Sequence, residues 1–343
     1  MKKSFIVSVF TVAFLGVAGL CSSAPALFPV VVGGRWGFVD KGGQMVINPQ
    51  YDHAEPFVDG FAPVRMGRWG YVDTTGKVVI NPQFDRAEEF SQGMAAVRLG
   101  GGGPGWDPRP YDPFAVGVGG GPGRAGFVGP DGKYLINPQF DDARPFSEGL
   151  APVKMGHWGF VDKTGKVVIN PQFDDAGSFT GGLAWVKMGG HFGFTDTTGN
   201  LVINPQFERA QPFSEGFAAV RSGGKWGFVD KKGNLAITPQ FEDAGSFSKG
   251  LAPVRDGKRW GFIDTTGKFT INAQYDGAAI FSEGLAAVRS SGKWGFVDAT
   301  GKMVINPQFD ESTAFTNGLA WVKTSGRFGY VDPTGKLVYE PTK

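Results

Sequence analysis

Apolar and polar positions alternate along most of this chain in short bursts. In residues 150–173, LAPVKMGHWGFVDKTGKVVINPQF, three such bursts are separated by polar or glycine-containing breaks. Each is too short for a helix and rich in Val, Phe, Trp and Ile, which fit a pleated, half-buried surface. The pattern predicts strands over 150–154, 158–162 and 166–170, with Pro171 stopping the third because proline cannot donate to a ladder. The intervening DKTG has Asp162 at the first turn position and Gly165 where a left-handed residue is needed, which predicts a type I turn with a glycine bulge. Elsewhere this turn reads DPTG, with Pro333 at the second position, or GPDG. After Pro171, QFDDAGSFTGG reads as a loop anchored by Phe173, Ala176 and Phe179 that crosses back to start another unit.

The same sentence is written nine times. Its Trp-Gly position falls at Trp36, Trp69, Ala125, Trp158, Phe192, Trp226, Trp260, Trp294 and Phe328, spaced by 33 or 34 residues except for one gap of 56. A fixed period of this length signals a repeat architecture. Framed before the LAPVK strand, the chain contains nine whole three-stranded meanders. The expected fold is all-β: a tandem array forming a curved superhelix or solenoid, each unit burying a face on its neighbours. The alternative is a closed propeller-like ring in which the crossover loop serves as a poor fourth strand. The third residue of the first strand is small (Pro63, Ala96, Pro152, Ala219, Pro253, Ala287) except at Trp185 and Trp321, the two units where the Trp-Gly aromatic is Phe192 or Phe328. This exchange predicts that the two positions face each other across the hairpin in a packed layer, which conserves volume. The third unit is small at both places, Ala96 and Ala125.

The recurring residues kWGfvD-kTGk-vvINPqfd-a-pFseGlApVk resemble the WG-repeat family of bacterial proteins, over residues 26 to 341. The resemblance implies a β-repeat domain, mostly found in extracytoplasmic or multidomain proteins, with no general enzymatic activity and no catalytic residues to carry over. Ala125, Phe192 and Phe328 at the Trp site, Gly129 at the Asp site and Ala273 at the Pro site depart from the pattern.

The N-terminus changes the picture of where this array works. Lys2 and Lys3, an apolar run from Phe5 to Leu20 and the small residues Ala24-Pro25-Ala26 form a secretory signal pattern, so residues 1–26 are read as a signal peptide and 27–343 as the repeat domain. The expected location is periplasmic, cell-surface or secreted; an uncleaved anchor, or a lipoprotein acylated at Cys21, is the lesser alternative. Cys21 is the only cysteine, so cleavage after Ala26 leaves nothing to form a disulfide. Removing Lys2 and Lys3 leaves 32 basic against 32 acidic residues, which disfavours a globally basic nucleic-acid binder. Fifty-five glycines and 23 prolines match the many turns.

Two features are candidates for function. Residues 100–123, GGGGPGWDPRPYDPFAVGVGGGPG, interrupt the third unit; they are a tolerated insertion, a partner-binding loop carrying Trp106, Tyr111 and Phe114, or a loop that fills the space above Ala125. The residue before each Trp-Gly position is basic or histidine: Arg35, Arg68, Arg124, His157, His191, Lys225, Arg259, Lys293 and Arg327. Aligned units would make these a multivalent site for an anionic polymer or glycan. The competing reading pairs the row with acids of the next unit, or leaves it solvated. Only His53, His157 and His191 exist, and the last two stand where other units have Arg or Lys. A place that arginine can fill is not a general base; a metal held by the two histidines is the sharper alternative. No nucleophile–base set or phosphate loop is visible. The function expected is non-enzymatic extracytoplasmic binding or scaffolding, with an envelope polysaccharide or envelope protein as partner and no cofactor. The runner-up is an envelope glycan-processing enzyme with a single carboxylate site.

Overall fold

The computed structural model describes residues 26–100 and 123–342. The signal pattern up to residue 25, Cys21, and Trp106, Tyr111 and Phe114 lie outside the described residues. Among the described residues every element is a strand, and the strands form nine separate antiparallel sheets in chain order. Eight are four-stranded and the first is three-stranded. In the fourth repeat a short lead strand, Asp142–Ala143, precedes strand one, Leu150–Met155, strand two, His157–Asp162, and strand three, Val167–Phe173, and they hydrogen-bond in that order. This is the blade of a β-propeller, so the array is of the propeller class and not a solenoid of three-stranded meanders. The crossover is too polar to run as a strand, but its Asp-Ala pair lies against the end of strand one, with Asp142 opposite Lys154 and Ala143 opposite Val153.

Pro171 does not stop strand three. Strand two pairs Phe160 with Ile169 but Trp158 with Phe173, so strand three carries extra residues and bulges through Asn170-Pro171. Proline is accommodated because strand three is the sheet edge and because the bulge releases it from the ladder. The Trp-Gly glycine makes this possible. A Cβ on Gly159 would lie 2.5 Å from the Ile169 carbonyl oxygen and 2.8 Å from the Pro171 nitrogen. The signature WG and INP motifs are thus the two sides of one close backbone approach. Blade seven keeps it with Ala273 in place of proline, 2.6 Å from the equivalent point on Gly261.

The DKTG turn forms as expected: Gly165 has φ +83°, its N–H donates to the Asp162 carbonyl at 2.9 Å, and Asp162 N–H donates to the Lys166 carbonyl at 3.0 Å. Asp162 Oδ1 accepts from Thr164 N–H at 2.9 Å and from its hydroxyl at 2.6 Å. The Thr164 hydroxyl and these backbone donors hold the carboxyl below its ordinary range.

The described chain divides into two compact units, with the boundary between Gln240 and Phe241. In the first, one core cluster joins Phe160, Ile169 and Phe173 of blade four to Phe179 of the crossover and Ala184 and Val186 of blade five. In the second, Phe262, Ile271 and Tyr275 of blade seven meet Phe281, Ala286 and Val288 in the same way. A single blade cannot bury its apolar face alone; each such phenylalanine contributes roughly 1.5–3 kcal/mol by leaving water.

Candidate functional site

One end of each four-stranded blade carries a row of side chains directly opposite one another across all four strands. In blade two it reads His53, Arg65, Trp69, Phe84, and in blade four Asp142, Lys154, Trp158, Phe173. The cation ending strand one therefore lies opposite the Trp-Gly aromatic. Arg65 is 5.9 Å from the Trp69 ring centre, Lys187 is 5.5 Å from Phe192 and Lys323 is 5.2 Å from Phe328. The third residue of strand one is not opposite this aromatic, contrary to expectation. Trp185 pairs with Phe194, while Phe192 pairs with Lys187, because the hairpin register is offset by two residues. The two rings meet diagonally instead, with centres 5.5 Å apart, and Trp321 meets Phe328 at 5.0 Å. The compensation in volume is real; its geometry is diagonal.

Rows of neighbouring blades interleave. His53 of blade two lies between Trp36 of blade one, 4.7 Å away, and Trp69, 5.5 Å away. Arg144 stands over Trp158 at 4.3 Å and Trp185 at 5.6 Å, and reaches Asp175 at 2.9 Å.

The basic residues before the Trp-Gly position are drawn largely into ion pairs. Arg35 pairs with Asp52, Arg259 with Asp276 and Lys293 with Asp310; Arg124 reaches Asp141 at 2.7 Å and Arg68 reaches Asp85 at 3.8 Å. Each acid opens the crossover to the next blade, and in Asp52, Asp85, Asp141 and Asp310 the other oxygen accepts a backbone N–H from that blade's hairpin tip. Asp52 accepts from Gly67 at 2.7 Å, Asp141 from Gly156 at 2.7 Å and Asp310 from Ser325 at 2.6 Å. These four acids are thus staples between consecutive blades, and the cation balances their charge. His191 is 3.2 Å from the Gly189 carbonyl, and Lys225 also has partners. His157 and Arg327 reach no acid among the described residues. His157 and His191 belong to no group of three or more potential metal ligands among those residues.

A second set of inter-blade contacts went unread in the sequence. The crossover ends in a two-residue hairpin with Glu148 at φ 52° and Gly149 at φ 85°, a type I′ turn. Glu148 accepts from Gly181 and Gly182 N–H of the next blade at 2.6 and 2.8 Å. The signal was present in DG at Asp59-Gly60 and NG at Asn317-Gly318, which are strong hairpin dipeptides.

Blade three breaks these rules together. Its row reads Arg86, Arg98, Ala125, Phe140, with no ring at the Trp-Gly position; its two opposed arginines recur in blade six, where Arg209 faces Arg221. Its lead strand runs for six residues, Arg86–Ser91, where the other lead strands have two. A cleft with room for about one water lies between Arg86, Glu88, Ala96, Arg98, Ala125 and Asp142. Arg86 pairs with Glu88 and stands 3.8 Å from Asp142 of blade four. Nearby, burial pushes the Glu89 carboxyl up to about 7, helped by the charges of Glu88, Glu55 and Asp59.

A family model described as WG containing repeat matches residues 36–68, 69–102, 126–156, 158–190, 192–226, 226–260, 260–294 and 294–327. The chain belongs to the WG-repeat family. Seven of the eight matched WG repeats start at the tryptophan position and the third starts at Gly126, so the matches cut each blade between strands one and two and count one fewer than the nine sheets. No curated protein matches the sequence. Among solved structures, a eukaryotic initiation factor is similar at 11% identity, with a TM-score of 0.63 over 94% of this WG-repeat chain and 98% of the other. That likeness concerns the fold alone. Hsv2p of Kluyveromyces lactis (9% identity, TM-score 0.39, 56% and 74% covered) and the surface component PorZ of Porphyromonas gingivalis (11%, 0.34, 93% and 51%) carry no argument.

Proposed function

We propose that the chain is an exported, non-enzymatic binding or scaffold protein that engages a protein partner through the third strands of its blades. The observation that carries this reading is where apolar surface is left in water. Of the twelve large apolar residues exposed among those described, nine lie at the first or second position of a third strand. They include Leu135 and Leu235, each 51% exposed, with Val168, Val202 and Val304. Scattered exposed apolar residues need no explanation, but the same place in blade after blade makes weak contacts additive. Pairing of the basic row with the crossover acids withdraws support from the anionic-polymer reading, since exposed charges already balanced attract little.

The test compares two variants for binding to envelope proteins and to a glycan array. Leu135→Ser with Val168→Ser and Val202→Ser is expected to lose protein binding while keeping a β-rich circular dichroism spectrum. Arg259→Gln with Lys293→Gln is expected to retain it. The reverse outcome, with salt-sensitive glycan binding lost only in the second variant, would return the reading to a polymer.

The enzyme alternative has one observation in its favour. Glu89 is a single carboxylate, unlike its counterparts in other blades, raised to about 7, which suits a general acid near neutral pH. The cleft of blade three is lined by Glu88 and not by Glu89, and it has room for about one water, so binding is the better supported reading.

A further inference from the structure

The acids that open the crossovers single out one junction between blades. Eight acids hold this place: Asp52, Asp85, Asp141, Asp174, Glu208, Glu242, Asp276 and Asp310. Among the described residues, seven of them bind a hairpin-tip N–H of the next blade, a cation, or both. The carboxylate of Asp174 binds neither; only its backbone N–H is engaged, by the Lys187 carbonyl at 2.8 Å. The residue beside it differs as well. Strand two pairs Trp158 with Phe173, so the next positions along, His157 and Asp174, stand side by side, with Cβ atoms about 5 Å apart. The same neighbouring places hold Arg35 and Asp52, Arg124 and Asp141, and Lys293 and Asp310, and those are ion pairs. In blade four the cation is replaced by an imidazole that is exposed and reaches no acid among the described residues. Arginine and lysine keep their charge across the physiological range, whereas an imidazole gains and loses its charge between about pH 5 and 8.

We propose that His157 and Asp174 form a proton-operated clasp between blades four and five. In acid the imidazolium pairs with one oxygen of Asp174, and the other oxygen takes the N–H of Gly189 or Gly190 at the tip of blade five. This is the division of labour seen at Asp52 and Asp141, whose one oxygen faces the arginine and whose other accepts Gly67 or Gly156 N–H at 2.7 Å. As pH rises the imidazole loses its charge and the clasp opens to the arrangement in the structure. Its contribution is therefore present in acid and lost towards alkaline pH, the sense for a histidine that gains an acidic partner. The other charges around His157 are committed elsewhere. Asp141 holds Gly156 and Arg124, Asp175 is paired with Arg144, and Lys187 stands over Phe192. Lys154 faces Trp158 in the row on the other side of the sheet. His191, at the tip of blade five, is the neighbour that titrates in the same range; its Nδ1 lies 3.2 Å from the Gly189 carbonyl. Val168 and Val202 lie on the third strands of the two blades so joined. On the protein-binding reading the clasp also fixes their spacing, but the clasp itself stands without that reading and its test needs no partner.

The experiment follows the amide protons of Gly189 and Gly190 in the ¹⁵N-labelled full chain from about pH 8 to about pH 5.5, with Gly156, already held by Asp141, as the internal reference. One of the two tip amides is expected to move downfield towards acid, as an N–H does when it donates to a carboxylate, while Gly156 stays. His157→Arg, the residue of most sister junctions, is expected to hold the downfield position at both ends of the range. His157→Gln and Asp174→Asn are each expected to abolish the response, and His191→Gln to keep it. All of these replace exposed side chains, and unchanged melting temperatures show that the fold is intact. A wild-type chain whose tip amides do not respond to pH overturns the proposal. So does a response that survives His157→Gln or Asp174→Asn, or one that His191→Gln removes.

Discussion

The approach of strand two to strand three at Gly159 can be tested by a single methyl group. Gly159 does not have a positive φ, so a view that glycine serves only backbone freedom predicts that Gly159→Ala is mild. The structure predicts otherwise. A Cβ there would lie 2.5 Å from the Ile169 oxygen, and contacts under 3.0 Å are essentially never seen, so strand three must retreat by at least about half an ångström. It has nowhere to go without lifting Ile169 and Phe173 out of the core, where they are 2% and 1% exposed. Overpacking of this kind costs about 1–3 kcal/mol, and a backbone obstacle with no rotamer to relax belongs at about 3. Because a repeat array opens locally, the measurement is amide hydrogen exchange within Trp158–Val161 rather than one melting curve. A loss of about 3 kcal/mol raises exchange on the order of a hundredfold in blade four. Pro171→Ala is the control and is expected to change exchange little, since blade seven keeps the same approach with alanine. If Gly159→Ala exchanges within about threefold of wild type, the close approach is not what the motif encodes.

Two further outcomes follow from packing and charge. Glu89 is half-buried and its folded pKa is raised from 4.5 to about 7, so folding favours its protonated form. The stability this gives is fully present below about pH 4.5 and is lost as pH rises through about 7, a change of up to about 3 kcal/mol. Glu89→Gln should flatten that slope and melt higher than wild type at pH 8, while matching it near pH 4, in paired thermal scans. In blade five, Phe192→Trp alone should destabilise by about 1–3 kcal/mol because Trp185 already fills the space; Trp185→Pro with Phe192→Trp, the combination of blade four, should recover most of it, a coupling that a double-mutant cycle in urea reads directly.

Much of this architecture was legible because one unit could be checked against eight others. Strands one and two, the DKTG turn and the anchoring roles of Phe173, Ala176 and Phe179 follow from local rules that hold in every copy. What misled was the reading of Pro171 alone. Proline forbids a ladder bond, but it does not forbid a bulged edge strand, and only the contact with Gly159 shows which applies. The lead strand was hidden for a different reason. Two residues such as Asp175-Ala176 have no periodicity, and their pairing with Lys187 and Val186 is set by the packing of blade four on blade five. Register also escaped: Trp185 and Phe192 co-vary, but co-variation reports contact, and diagonal neighbours touch as well as opposed ones. The basic row was legible as a row. Whether it faced water or an acid depended on Asp52 and its equivalents, 17 residues further on, and on a hairpin tip 15 residues beyond those.

Repetition turns local inconsistency into information. In a single domain, an alanine at a core position, a pair of facing arginines or a carboxylate raised to about 7 could each be an accident of packing. Here Phe192, Ala273 and Phe328 depart singly in blades five, seven and nine, and several departures gather in blade three. Ala96 with Ala125, the six-residue lead strand and Glu89 all fall in blade three, whereas its opposed Arg86 and Arg98 are matched by Arg209 and Arg221 in blade six. Eight copies show that the chain can write a filled aromatic row with Trp or with a Trp–Phe pair. Like charges directly opposite cost stability in a sheet, and a missing ring forfeits the contacts that hold blades together.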